Sequence, residues 1–305
     1  MSTSSAQRSE RATSIRGICA LKTGTGDVHV EHVEGSRLHP LLWIFFGRKR
    51  IEGIPISVFV IEHESGLVLF DTGVHPGLMT DPRYWPDAVT RLFMNKIFRF
   101  HVGPDDTLSK QLQLAGFAAS DVRRAVLSHL HFDHAGGIGD IPQAELLVSA
   151  EAWEHMLGPH PEREGVLRRD LEIPGANWNQ VEFAPTSDTS LAPFSEAHDF
   201  IGDGSMLLIS TPGHMTGSMS MLVRTDPPIL FVGDLCYSED LMTRNQLPGT
   251  GDAALLAKSW EKVRRFKKNN PGLLIVPSHD NDALSRLRAH PLYSEHEHPP
   301  GGLAH

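Results

Sequence analysis

Ser128-His129-Leu130-His131-Phe132-Asp133-His134-Ala135-Gly136-Gly137 is the stretch on which the reading of this chain turns. It follows Ala125-Val126-Leu127, a short apolar run of the kind that forms a buried strand. Side chains at i, i+2 and i+4 share one side only in extended backbone, so His129, His131 and Asp133 converge if a loop carries them off that strand. On a helix the two His of an i, i+2 pair point apart, unlike the i, i+4 pair of a helical metalloprotease motif. Ala135-Gly136-Gly137 disfavours a helix interior and leaves the backbone room to turn. Four potential ligands within six residues are costly to pack unless something binds them. The hexad therefore points to a metal centre at a strand end.

Composition narrows the class. The chain has 305 residues, 28 Lys+Arg against 37 Asp+Glu for a net charge of −9, and 18 His beside 2 Cys. Cys19 and Cys236 are too few and too far apart for a disulfide scaffold or a Cys-based zinc ribbon. The acidic balance argues against a broad nucleic-acid surface, so no nucleic-acid partner is expected. The densest apolar run, Leu41–Phe46, stops at Gly47 before Arg48-Lys49-Arg50, whereas a spanning helix needs about 20 residues, so no membrane span is expected. The Ser/Arg-rich N-terminus lacks an apolar signal core. Residues 1–16 read as a disordered tail, 17–290 as one domain and 291–305, with His296, His298 and His305, as a flexible tail. Few cysteines and no export signal point to the cytoplasm.

Working outward, Ser57–Gly73 reads as two β-runs around Glu64-Ser65-Gly66. Thr107–Phe117 has Leu108 and Leu112 at helical spacing and Gly116 as a stop; Ser149–Leu157 is also helical. Residues 206–210, 218–223 and 229–232 are β-type. Asp252 caps a helix with Leu256, Trp260 and Val263 on one face, closed by Asn270-Pro271-Gly272. A strand over 273–276 then delivers Pro277-Ser278-His279-Asp280. Residues 80–104 read as irregular and aromatic. Strands followed by helices, twice over, imply a layered mixed sheet with helices outside, an α/β architecture whose strand ends carry the polar residues.

The hexad matches the HxHxDH signature of the metallo-β-lactamase superfamily, and other segments resemble that superfamily in order. Phe70-Asp71-Thr72-Gly73 resembles its early strand-end motif. Thr211-Pro212-Gly213-His214 resembles its TPGH loop, Gly233-Asp234 its bridging-Asp strand end and Pro277-Ser278-His279 its final ligand loop. The resemblance spans residues 53–285 and implies an αββα sandwich of two mixed β-sheets with helices on the outer faces. It implies two divalent metal ions: His129, His131 and His214 on one, Asp133, His134 and His279 on the second, with Asp234 bridging. Such a donor set suits zinc first, and iron, cobalt or manganese also fit. Two readings stand for Asp71: it orients a ligating His by accepting its second N–H, or it forms the turn before Thr72-Gly73.

The superfamily implies hydrolysis, and finer features narrow the bond. Asp234-Leu235-Cys236-Tyr237 resembles the Asp-x-x-Tyr of the N-acyl-homoserine lactone lactonases, in which the phenol assists the developing oxyanion; packing at a helix start is the other reading of Tyr237. Where such loops read TPGHTPGH, this chain has Thr211-Pro-Gly-His-Met-Thr-Gly-Ser218, which loses no ligand. The resemblance thus implies a quorum-quenching lactonase acting on an acyl lactone. A metal-bridging hydroxide would open the ring, with Tyr237 polarising the carbonyl and Asp133 relaying a proton to the leaving alkoxide. Leu41–Phe46 and Tyr84–Phe100 are candidates for an acyl trough. A core or interface strand is the other reading of 41–46, and 84–100 is long enough to form a lid or a homodimer surface. The nearest rival is a glyoxalase II-like thioesterase with the same ligands, which requires a basic cluster near the site; Lys262, Arg264, Arg265, Lys267 and Lys268 instead spread around one helix.

Overall fold

Alternate residues of the central strands belong to different cores. In β2 (Arg50–His63), Val58 and Val60 face one way while Phe59 and Ile61 face the other; in β3 (Gly66–Phe70), Leu67 and Leu69 oppose Val68 and Phe70. This two-residue period requires a layer on each side of the sheet. The computed structural model, which describes residues 14–295, supplies those layers. Together with β1 (Ile15–His29), β4 (Phe98–His101), β5 (Val122–Val126), β6 (Glu145–Ser149) and β7 (Asn177–Val181), these strands form a mixed seven-stranded sheet in the order β4-β1-β2-β3-β5-β6-β7. After the short pair β8 (Ala184–Pro185) and β9 (Glu196–Ala197), a second mixed sheet runs β10 (Met206–Ser210), β11 (Met219–Val223), β12 (Ile229–Gly233) and β13 (Leu274–Pro277).

The sheets meet through Phe59, Phe70 and Phe231, with the Phe59 and Phe231 rings 4.5 Å apart. Leu230 and Val232 of β12 point the opposite way, onto Leu256, Trp260 and Val263 of the Ala253–Asn269 helix. Leu108, Leu112, Ala152 and Met156 from helices cover the outer face of the larger sheet. This is the α/β arrangement expected, helices outside two mixed sheets. The hairpin at Glu64-Ser65, the Thr107-capped helix, the Ser149-capped helix and the Asp252-capped helix all form as read from the sequence.

Three expectations are corrected. Residues 80–104 are irregular only in part: Asp87 accepts from Val89 N and Thr90 N, starting the helix Ala88–Ile97, which runs into β4 against β1. The density of Pro and aromatic residues just before Asp87 hides that helix. Leu41–Phe46 is neither strand nor irregular; Pro40 opens a helix over Pro40–Phe46, where its fixed φ fits the first turn. The tail boundaries also move. Residues 1–13 and 296–305, including His296, His298 and His305, lie outside the described residues, but Ile15 and Arg16 belong to β1. At the other end Leu292 O accepts from Ile18 N and Ser294 N donates to Ile18 O, both at 2.9 Å, and Leu292 and Tyr293 pack on the core. No helix among the described residues is long and apolar enough to cross a membrane.

Phe231 sits between the sheets with no exposure. Phe231→Ala is expected to cost about 3–5 kcal/mol in urea denaturation, while Phe46→Ala on the surface changes stability by no more than about 0.5 kcal/mol. Equal losses would contradict this layering.

Candidate metal centre

The C-terminal ends of β3, β5, β10, β12 and β13 deliver Asp71, the hexad, His214, Asp234 and His279 to one edge of the sandwich. Close backbone approach makes this possible. Gly233 has φ +57°, and a Cβ there would lie 2.7 Å from Ser128 Cβ, so a side chain at 233 would push the hexad away from Asp234. His131 itself is extended (φ −63°, ψ 150°), and Phe132–Ala135 then form one helical turn. That turn swings Asp133 away from the side shared by His129 and His131, correcting the expectation that all three share one side.

Two triads result. The ligand atoms of His129, His131 and His214 lie within 4.8 Å of one another, as do those of Asp133, His134 and His279. In the first, His131 Nδ1 is 2.9 Å from His129 Nε2 and 3.1 Å from His214 Nε2. Asp234 stands between the triads. Its Oδ2 is 3.5 Å from His214 Nε2, while its Oδ1 is 3.1 Å from His279 Nε2 and 3.3 Å from His134 Nε2. Asp234 Oδ1 and His134 Nε2 are buried without hydrogen-bond partners. Unsatisfied donor and acceptor sites converging in this way fit a divalent cation at each triad.

Hydrogen bonds behind the triads set which ring nitrogens are bare. His134 Nδ1 donates to Asp71 Oδ2 at 2.8 Å, and His279 Nδ1 donates to Pro55 O at 2.7 Å. Ser128 Oγ donates to Asp71 Oδ2 and accepts from His129 Nδ1, each at 2.9 Å. In their neutral form all three rings therefore turn a bare Nε2 to the centre. Asp71, fully buried with φ 63°, also accepts from Ser128 N at 2.7 Å, so the ring-orienting role is the one its geometry fits. Electrostatics divides the centre. Burial and then His134, His131 and His214 hold His129 well below its ordinary pKa; burial also holds His214 well below. For His134 burial opposes the proton, yet Asp234, Asp71 and Asp133 outweigh it and raise the pKa well above its ordinary value. Burial resists charge on Asp234 as well, but His279 and His134 keep its pKa well below the usual carboxylate range. Carboxylates that attract a proton here attract a metal cation equally.

A cavity of about 290 Å³ opens onto both triads. Ile54, Ile56, Phe93, Met94, Ile97, Phe98, Phe100 and Phe132 line it, together with Tyr237 and Asp133. The aromatic segment thus reaches the site, but Leu41–Phe46 does not line the cavity, contrary to one reading of it. None of Lys262, Arg264, Arg265, Lys267 and Lys268 lines it either; Arg264 is spent on Met242 O at 2.8 Å. The Tyr237 ring stacks on His279 at 6.0 Å, and burial, with Asp234 and Asp133 adding, raises its pKa well above 10, so the phenol keeps its proton. Its Oη lies 2.7 Å from His32 Nε2. Burial lowers the His32 pKa to about 4, leaving a neutral ring. Sequence reading missed His32, Arg163 and Glu164 at this cavity. No spacing could have found His32, 205 residues from its partner; the unexplained His excess was the only signal.

The metallo-beta-lactamase superfamily pattern matches residues 51–279. N-acyl homoserine lactonase AttM of Agrobacterium fabrum is 30% identical over 251 residues, 78% of this chain and 86% of that protein. A probable metallo-hydrolase of Mycobacterium tuberculosis is 30% identical over 255 residues, 76% of each chain. Among solved structures, an N-acyl homoserine lactone hydrolase with N-hexanoyl-L-homoserine at its catalytic metal centre has a TM-score of 0.71 at 20% identity, covering 90% of this chain and 97% of that one. The dizinc quorum-quenching lactonase AidC gives 0.56 at 18% identity, covering 88% and 86%. The matched segment holds all seven convergent side chains, and this protein belongs to the metallo-β-lactamase superfamily.

Proposed function

We propose that this protein is a dinuclear-metal hydrolase that opens the lactone ring of N-acyl homoserine lactones. The observation that carries the reading is the protonated Tyr237 phenol at the wall of an apolar cavity, beside both triads. The 30%-identical relative named as such a lactonase supports it. His129, His131 and His214 would hold one divalent ion and Asp133, His134 and His279 the other, with Asp234 standing between them; zinc would suit five imidazoles and two carboxylates best. When bound, such ions supply Lewis acidity and a nucleophile at neutral pH.

The chain's own residues do the rest. His32 Nδ1 is buried without a partner, so the ring's proton belongs on Nε2, where it is donated to Tyr237 Oη. Tyr237 Oη is then an acceptor from His32 and directs its own hydrogen into the cavity, to the lactone carbonyl oxygen. Asp133 takes the proton of the attacking water oxygen and passes it to the leaving alkoxide as the ring C–O bond breaks. Ile97, Phe98 and Phe100 exclude water from the acyl tail. A thioesterase of the glyoxalase II type has no cationic cluster at this cavity to receive its substrate's carboxylates.

Proton release from a lactone panel tests this reading. Tyr237→Phe is expected to lower kcat by about a hundredfold or more with metal content unchanged, the usual loss for one oxyanion donor, and His32→Leu by less. Full activity in Tyr237→Phe would remove the lactone-specific part. Chelation should abolish turnover and divalent-metal addition restore it, whereas Asp234→Asn should lower metal content below two equivalents. Since each buried methylene is worth about 0.8 kcal/mol, kcat/KM should be at least about tenfold higher for decanoyl than for butanoyl homoserine lactone. Equal values would show that the cavity does not hold the tail.

A further inference from the structure

Two touching helices, the second of which lines the cavity, carry apolar side chains on their exposed as well as their buried sides. In Pro40–Phe46, Trp43 and Ile44 are buried while Leu41, Leu42, Phe45 and Phe46 are exposed. In Ala88–Ile97, Met94 and Ile97 line the cavity while Val89 and Leu92 face out. The helices touch through Phe45 and Phe93, whose rings are 6.4 Å apart, so these side chains form one surface, with Phe46 78% and Val89 77% exposed. A surface helix normally presents polar residues to water, and an apolar patch of this extent marks an interaction site.

Charge identifies what it meets. Residues 36–50 and 88–101 hold seven of the chain's 28 Lys+Arg and none of its 37 Asp+Glu, in a chain of net charge −9. Arg50 donates to Lys96 O and, at 3.0 Å, to Ile97 O, joining the basic ends of the two segments; Arg48, Lys49, Lys96 and Arg99 are exposed there. Glu34, Glu52 and Asp87, the last capping the second helix, lie just outside them. A twofold dimer through this face would set the patch against itself and bring like charges together. Protruding apolar side chains rimmed by cations match the boundary of an anionic bilayer, in which the apolar groups enter the acyl region and the cations meet headgroups. We infer that the face built from the Pro40–Phe46 and Ala88–Ile97 helices docks on anionic phospholipid surfaces. The cavity behind Phe93 then lies next to the bilayer.

Co-sedimentation of the full chain with phosphatidylglycerol vesicles and with phosphatidylcholine vesicles tests this without any activity readout. Expected are binding to the anionic vesicles, its weakening by salt, and little binding to the zwitterionic ones. Phe46→Ser/Leu92→Ser and, separately, Arg48→Glu/Lys49→Glu should each reduce partitioning by at least about tenfold while thermal unfolding stays unchanged. Equal binding to both vesicle types, wild-type binding by the charge-reversed variant, or a concentration-dependent dimer in lipid-free ultracentrifugation that the Phe46→Ser/Leu92→Ser variant abolishes would each overturn it.

Discussion

Asp234 is a carboxylate with 6% exposure, held between a triad of imidazoles and a triad of two imidazoles and a carboxylate, and the rest of the site depends on how that buried charge is satisfied. A buried carboxylate is costly unless it is paired. Here its two oxygens face opposite triads, so a cation on either side satisfies one of them. The arrangement must be held before any cation arrives, and Asp71 does this. One fully buried side chain binds Ser128 N, Ser128 Oγ and His134 Nδ1, tying the end of β3 to the loop after β5. Both carboxylates stand at strand ends, where the sheets fix the backbone.

The same rigidity explains how much could be read in the sequence. The hexad, the TPGH loop, Gly233-Asp234 and Ser278-His279 each carry their signal locally, because each is a short loop at the end of an apolar strand. A layered mixed sheet with helices outside followed from the alternation of strands and helices, and the two-sheet sandwich from the resemblance to the superfamily. The misreadings came where tertiary contacts outweigh local pattern. Leu41–Phe46 has no polar face, so nothing in its periodicity marks a helix; Pro40 and packing of Trp43 decide it. Ala88–Ile97 is hidden behind Pro82 and Pro86 and is organised by Asp87 and by the cavity it covers. Leu292–Ser294 looked like a tail because its partner, Ile18, lies at the opposite end of the chain. His32 meets Tyr237 only through the fold.

Cavity and centre are built from different parts of the chain. Ligands come from the strand-end loops, whereas the apolar wall comes from β2, β4 and the Ala88–Ile97 helix. Changes to the wall can therefore alter the shape of the cavity while Asp71 and Asp234 keep the centre intact. Tyr237 belongs to both parts, stacked on His279 and held by His32 from the other side. Its place after β12 puts it at the junction of the apolar wall and the convergent side chains.

Anomalous diffraction from crystals grown with a divalent metal tests the central claim most directly. The account predicts two metal peaks, one at His129, His131 and His214 and one at Asp133, His134 and His279, with one Asp234 oxygen on each. A single peak, or two peaks with Asp234 bound to neither, would contradict it.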